Sequence, residues 1–90
     1  MKHNTLRIIT FANGRYPMSM DKINFKVQAT QNLVDGDFKT NAIHGPRKLL
    51  KGEEMVVDKI FINAFGLHVQ GSNPRRQIVN LMPIDLNLID

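Results

Sequence analysis

Turn-forming and chain-breaking residues interrupt this sequence at intervals of roughly 8–12 residues, which leaves room for short strands and for no long helix. Asn13-Gly14, Asp35-Gly36-Asp37, Gly45-Pro46, Gly52, Gly66, Gly71-Ser72-Asn73-Pro74 and Pro83 divide the 90 residues into short runs. The runs themselves are rich in β-formers. Isoleucine and valine together occur fifteen times and asparagine nine, against four alanines and two glutamates. β-branched side chains favour strands and asparagine favours turns, whereas helices are filled with Ala, Glu, Leu and Lys.

From Leu6 to Ala12 apolar residues fall on both parities, as in a strand covered on both sides. Asn13-Gly14 then supplies a two-residue hairpin signal, because both residues accept the positive φ of a type I′ turn. Pro17 cannot donate a ladder hydrogen bond, so the segment after that turn is expected to wander rather than pair straight back. Ile23, Phe25, Val27 and Ala29 alternate with Asn24, Lys26 and Gln28, the clearest half-buried strand in the chain. Asp35-Gly36-Asp37 reads as a tight turn between two short strands, one at Leu33-Val34 and one from Phe38. Ile43 to Gly52 reads as a loop or one helical turn near Arg47–Lys51. Met55 to Phe65 is a dense strand with Val56, Ile60, Ile62 and Ala64 on one parity and Val57, Phe61 and Phe65 on the other. Gly66 marks a bulge or tight bend before Leu67-His68-Val69, and Gly71 to Pro74 a turn. Pro83 breaks the apolar tail into two strands, Gln77–Met82 and Ile84–Ile89. The expected fold is one all-β domain over residues 1–90, a small antiparallel β-sandwich or barrel of about seven short strands.

Several function classes lack their residues. No stretch approaches the roughly 18 apolar residues of a membrane helix, and there is no cysteine to serve as disulfide, thiolate nucleophile or metal ligand. The start, Met1-Lys2-His3-Asn4-Thr5, resembles a signal n-region, but the apolar run behind it is short and carries Arg7, so cytoplasmic synthesis without a signal peptide is expected. His3, His44 and His68 are too far apart in sequence for paired metal ligation, and Ser19 and Ser72 have no neighbouring base. The pairs Asp35/Asp37 and Glu53/Glu54 read as solvated turn acids. No phosphate cradle or calcium loop is present, so neither an enzyme nor a cofactor is expected.

Twelve Lys and Arg against eight Asp and Glu give a net charge of +4. The only basic clusters, Arg47, Lys48, Lys51 and the pair Arg75, Arg76, each follow a turn proline. Sharing one end of the domain, they would form a patch for phosphate, as in a nucleic-acid-binding barrel of the OB type. Tyr16 is then the freely placed aromatic, while Phe11 and Phe25 fall on apolar strand faces.

The C-terminal quarter is the most apolar part. Ile78 to Ile89 holds eight apolar residues in twelve positions and one charge, Asp85, so it must be paired, covered or donated to a neighbour. Ile84, Leu86 and Leu88 share one strand parity, and Pro83 supplies a hinge. Ile84–Asp90 is therefore expected either to pair by main-chain hydrogen bonds across a subunit boundary, with those three residues as contacts, or to close the domain's own barrel. Together these features predict a non-enzymatic structural or interaction module, a subunit of a homo- or hetero-oligomeric protein assembly of virion or similar type. Nucleic-acid binding through the basic loops is the alternative, and no membrane role is expected.

Overall fold

The computed structural model describes residues 6–19, 23–36 and 38–89. His3, Asp37, Asp90 and the basic N-terminal pentapeptide considered above lie outside them. The elements run β1 (Leu6–Phe11), β2 (Gly14–Ser19), β3 (Phe25–Ala29), β4 (Leu33–Val34), α1 (Phe38–His44), β5 (Lys48–Leu49), β6 (Glu54–Asn63), β7 (Gly66–Ser72), β8 (Ile78–Leu81), a 3-10 turn (Pro83–Asp85) and β9 (Leu86–Leu88). The chain is all-β with antiparallel ladders throughout. They form a β1-β2 hairpin, a five-stranded sheet in the order β8-β7-β6-β3-β9, and a two-residue β4-β5 ladder. Among the described residues no ladder joins β8 to β9, so the large sheet keeps two edges.

Local chemistry moves several elements from their expected places. The first hairpin turns at Ala12-Asn13, one residue early, with Phe11 opposite Gly14 and only Gly14 of the turn at positive φ (145°). β2 returns directly despite Pro17. Pro17 sits opposite Ile8, and a pair that exchanges no ladder bonds loses nothing when one partner lacks an N–H. The strand expected from Phe38 is instead α1, and the helical turn expected near Arg47–Lys51 is the extended pair Lys48-Leu49. Gly45, at φ 85°, ends α1 by donating its N–H to the Asn41 carbonyl, and Pro46 prevents the helix from continuing.

On β6 a bulge between Val57 and Lys59 inserts Asp58 and reverses the parity. Met55 and Val57 point into the core before it and Ile60 packs against the core after it, so Val56 is exposed and the expected Val56–Ile60 face does not form. Gly66 does mark a tight bend, closing the β6-β7 hairpin opposite Asn63. Gly71, expected in a turn, lies within β7. A Cβ there would collide with the Val56 carbonyl oxygen and come within 2.6 Å of Met55 Cγ, so only glycine admits the close strand approach.

The core gathers Ile9 and Phe11 from β1, Phe25, Val27 and Ala29 from β3, and Met55 and Val57 from β6, with Val69, Val79, Leu81 and Leu86. Phe11 packs edge-on against Phe25 at 5.9 Å, as their apolar faces implied. Tyr16 is not freely placed: it is half-buried, with its ring edge-on to Phe11 at 6.0 Å.

Both edges of the five-stranded sheet are engaged by groups that imitate a strand. On β8, Asp35 Oδ2 accepts from the Asn80 N–H (2.8 Å) and Arg47 Nη1 donates to the Ile78 carbonyl (3.0 Å). Asp35 and Arg47 lie 3.3 Å apart, with side chains 1% and 12% exposed, so Asp35 is a buried ion-pair partner and not a solvated turn acid. On β9, the Asn13 side chain donates to the Leu88 carbonyl (2.8 Å) and accepts from the Leu88 N–H (2.9 Å), while the Ala12 N–H donates to Leu86 (2.7 Å). Asp35→Ala should lower stability by about 3–5 kcal/mol, the usual cost of leaving a buried charge without its partner. Asp35→Ala/Arg47→Met should recover part of that loss in thermal unfolding. A double variant as unstable as the sum of the two single changes would refute this account of the pair.

Candidate functional site

The two basic loops do meet. Asn73, 4% exposed, donates from Nδ2 to the Lys48 carbonyl (2.8 Å) and to Gln77 Oε1 (2.9 Å), while its Oδ1 accepts from the Arg75 and Gln77 N–H groups. Arg75 also donates to the Lys48 carbonyl (2.7 Å) and forks onto both oxygens of Glu53 (2.8 and 2.9 Å). Arg47 is held by Asp35, Asn41 Oδ1 (3.1 Å) and Ile78. Two of the five expected phosphate ligands, Arg47 and Arg75, are thus internal ties. Lys48, Lys51 and Arg76 face solvent, and among the described residues they form no ion pair. Asn73 was legible only as a turn residue, because nothing local in Gly-Ser-Asn-Pro announces a side chain that staples a loop 25 positions away.

Glu53 differs from its neighbour. Hydrogen bonding from Arg75, then from the Leu50 N–H, holds its carboxyl below the ordinary carboxylate range, and Glu53 in turn raises Arg75. Glu54 is solvent-exposed, 3.8 Å from Lys26. His44 ends α1 and His68 stacks on Phe61 at 5.6 Å. Among the described residues no group of three or more His, Cys, Asp or Glu could hold a metal ion, and no helix is long and apolar enough to cross a membrane.

The C-terminal residues separate. Ile84 lies in the 3-10 turn and is 51% exposed, Leu86 is fully buried in the chain's own core, and Leu88 is half-buried against it. The turn breaks the alternation that placed all three on one face. β9 pairs with β3 of the same chain on one side and is capped by Ala12 and Asn13 on the other. Its main chain is therefore paired within the chain, the intramolecular one of the two arrangements expected for this segment. Of the three, Ile84 is the most exposed at the surface.

That surface is apolar. Ile84 borders a groove of about 520 Å³ with Ile8 of β1, Ile62 of β6, Leu67 of β7 and Met82. Ile8 and Ile62 are 65% and 52% exposed. On the other side of Met82 a second groove of about 560 Å³ carries Val34, Phe61, Phe65 and His68. Ile62 and Phe65 read as ordinary strand residues in sequence. Phe65 lies in the turn before Gly66, and Ile62, on the same parity as Ile60, lies at the far end of β6 beside it. No family model, curated protein or solved structure matches this chain.

The Glu53–Arg75 fork sets a pH dependence. Glu53 binds its proton less readily folded than unfolded, so its contribution is present above the ordinary carboxylate range and is lost as pH falls through its depressed folded value. Arg75→Ser should flatten the acid limb of the stability profile with little change in its shape near neutrality. An unaltered acid limb would show that the fork is not a source of acid lability.

Proposed function

We propose that this chain is a non-enzymatic interaction module, a small β-subunit of a larger protein assembly. The observation that carries this reading is the pair of apolar grooves meeting at Met82, with Ile8, Ile62, Ile84 and Phe65 in water around them. Contiguous apolar surface of this kind marks contact sites more often than it marks an isolated monomer. The constellation lacks a nucleophile–base pair, and its polar clusters serve as ties between loops. A virion-type assembly is one setting that uses such small β-subunits, by analogy of fold alone. Ile62→Asp/Ile84→Asp should remain folded, since both side chains are already exposed, and should sediment at lower mass than the unaltered chain at equal concentration. Equal mass for the two would remove the reading.

The meeting of the basic loops favours a second reading, phosphate or nucleic-acid binding. Only Lys48, Lys51 and Arg76 are available to it, so the salt slope of oligonucleotide binding should not exceed about 3. Replacing Lys51 and Arg76 by serine should lower it by up to about 2. Absence of oligonucleotide binding by the unaltered chain at low salt excludes this reading.

A further inference from the structure

The exposed apolar surface does not by itself name a partner, but the main chain of β1 does. Four edges bound the two larger sheets, and three carry a device that hinders pairing. Asp35 and Arg47 occupy one N–H and one carbonyl of β8, Ala12 and Asn13 cap β9, and Pro17 leaves the outer face of β2 without a donor at its middle. β1 has no such hydrogen-bonding device: from Arg7 to Thr10 it forms one wall of the apolar groove, with Met82, Pro83 and Ile84 on the other. Since Pro17 cannot donate, Ile8↔Pro17 exchanges no ladder bonds, and the alternation of antiparallel pairs extends this to Leu6↔Ser19 and Thr10↔Arg15. The N–H and C=O groups of Leu6, Ile8 and Thr10 therefore point away from β2. Ala12 continues the series, and its N–H shows the outward direction by donating to Leu86. Among the described residues nothing bonds the outward groups of Leu6, Ile8 or Thr10, and both Leu6 and Ile8 are 65% exposed.

We infer that the outer edge of β1 pairs antiparallel with β1 of a second copy of this chain, about a twofold axis at Ile8. This rests on the assembly reading and names its partner. The strand is self-complementary in that register. Ile8 meets Ile8 of the second copy and Leu6 meets Thr10, and each of these pairs exchanges two main-chain bonds because all three residues present their groups outward. The strand's one charge, Arg7, falls opposite Ile9 of the second copy and not opposite its own image, so the register avoids like-charge contact. Leu6 and Ile8 of both copies then line one face across the axis. The pairing also terminates itself. It consumes the open edge of each copy and leaves the two β2 strands outermost, where Pro17 blocks further growth, so the assembly closes as a dimer.

The chain has no cysteine, so a single introduced thiol reads the register directly. In the twofold pairing the Ile8 Cα atoms lie about 5.5 Å apart, within disulfide reach, while the Thr10 Cα atoms are separated by four residues, about 13 Å. Under mild oxidation Ile8→Cys should form a covalent dimer at least about 10-fold faster than Thr10→Cys. Thr10→Pro deletes an outward N–H at both ends of the interface and touches no β1-β2 bond, so it should weaken the dimer by about 10-fold or more in sedimentation, while Thr10→Ser should not. Equal cross-linking of the two cysteine variants overturns the inference, as does a chain that is monomeric at about 1 mM. A multimer that survives Thr10→Pro but falls apart with Ile62→Asp/Ile84→Asp leaves the assembly reading standing and overturns β1 pairing alone.

Discussion

The buried contact between Asp35 and Arg47 is the constraint on which the rest of the sheet depends. A strand at the margin of an open sheet presents unpaired N–H and C=O groups, and covering them with apolar side chains alone would leave them unsatisfied. Asp35 provides the acceptor and Arg47 the donor that β8 would otherwise find on another strand. Against well-packed apolar residues of similar volume, such a pair roughly breaks even, because desolvating two charges offsets their attraction. Its value is therefore positional. It ties residues 35, 47, 78 and 80 into one register and occupies the Asn80 N–H and the Ile78 carbonyl on the outer side of β8.

The same ties explain why the basic residues do not form a five-charge patch. Arg47 lies between β4, α1 and β8, and Arg75 spans from the β7-β8 loop to Glu53 and the Lys48 carbonyl. Guanidinium suits both tasks, since its planar array of donors reaches several acceptors that lysine could not satisfy at once. Arginine and lysine drawn from the same clusters thus take different roles, with the arginines at 47 and 75 inside the network and Lys48 and Lys51 in water.

The all-β class was legible because it follows from composition and the two-residue period: the alternation at Phe25–Ala29 reads the same in sequence and in the sheet. The tight bend at Gly66 and the break at Pro83 were legible for the same local reason. What could not be read depended on partners distant in sequence. Asp35 looks like any turn acid until Arg47 is known to face it, and Gly71 looks like a turn glycine until Val56 passes over it. The bulge at Asp58 is invisible to periodicity because it is an interruption of the period, and with it went the separation of Val56 from the face of Ile60. The Ile84, Leu86, Leu88 stripe failed because Pro83 starts a helical turn instead of a bare hinge, which moves Ile84 off the strand parity. Gly45-Pro46, by contrast, is a local helix-stop signal, and α1 ends there.

A donated arm and a prebuilt edge are different solutions to association. A C-terminal arm that left its sheet would have to be ordered on each encounter, at a cost of about 1–2 kcal/mol for each residue fixed. β9 does not take that route, being held by β3, Ala12 and Asn13 with Leu86 in the core. β1 is ordered already: Ile9 and Phe11 are anchored in the core, and β2 fixes the other side of the strand. Its outward N–H and C=O groups are thus presented in the extended geometry that a partner strand requires, and little ordering entropy remains to be lost. A two-stranded hairpin is marginal in water, yet this one is braced by the core beneath it. Side chains of the chain itself engage the β8 and β9 edges, while among the described residues β1 presents three outward residues in a geometry already fixed, apolar at Leu6 and Ile8.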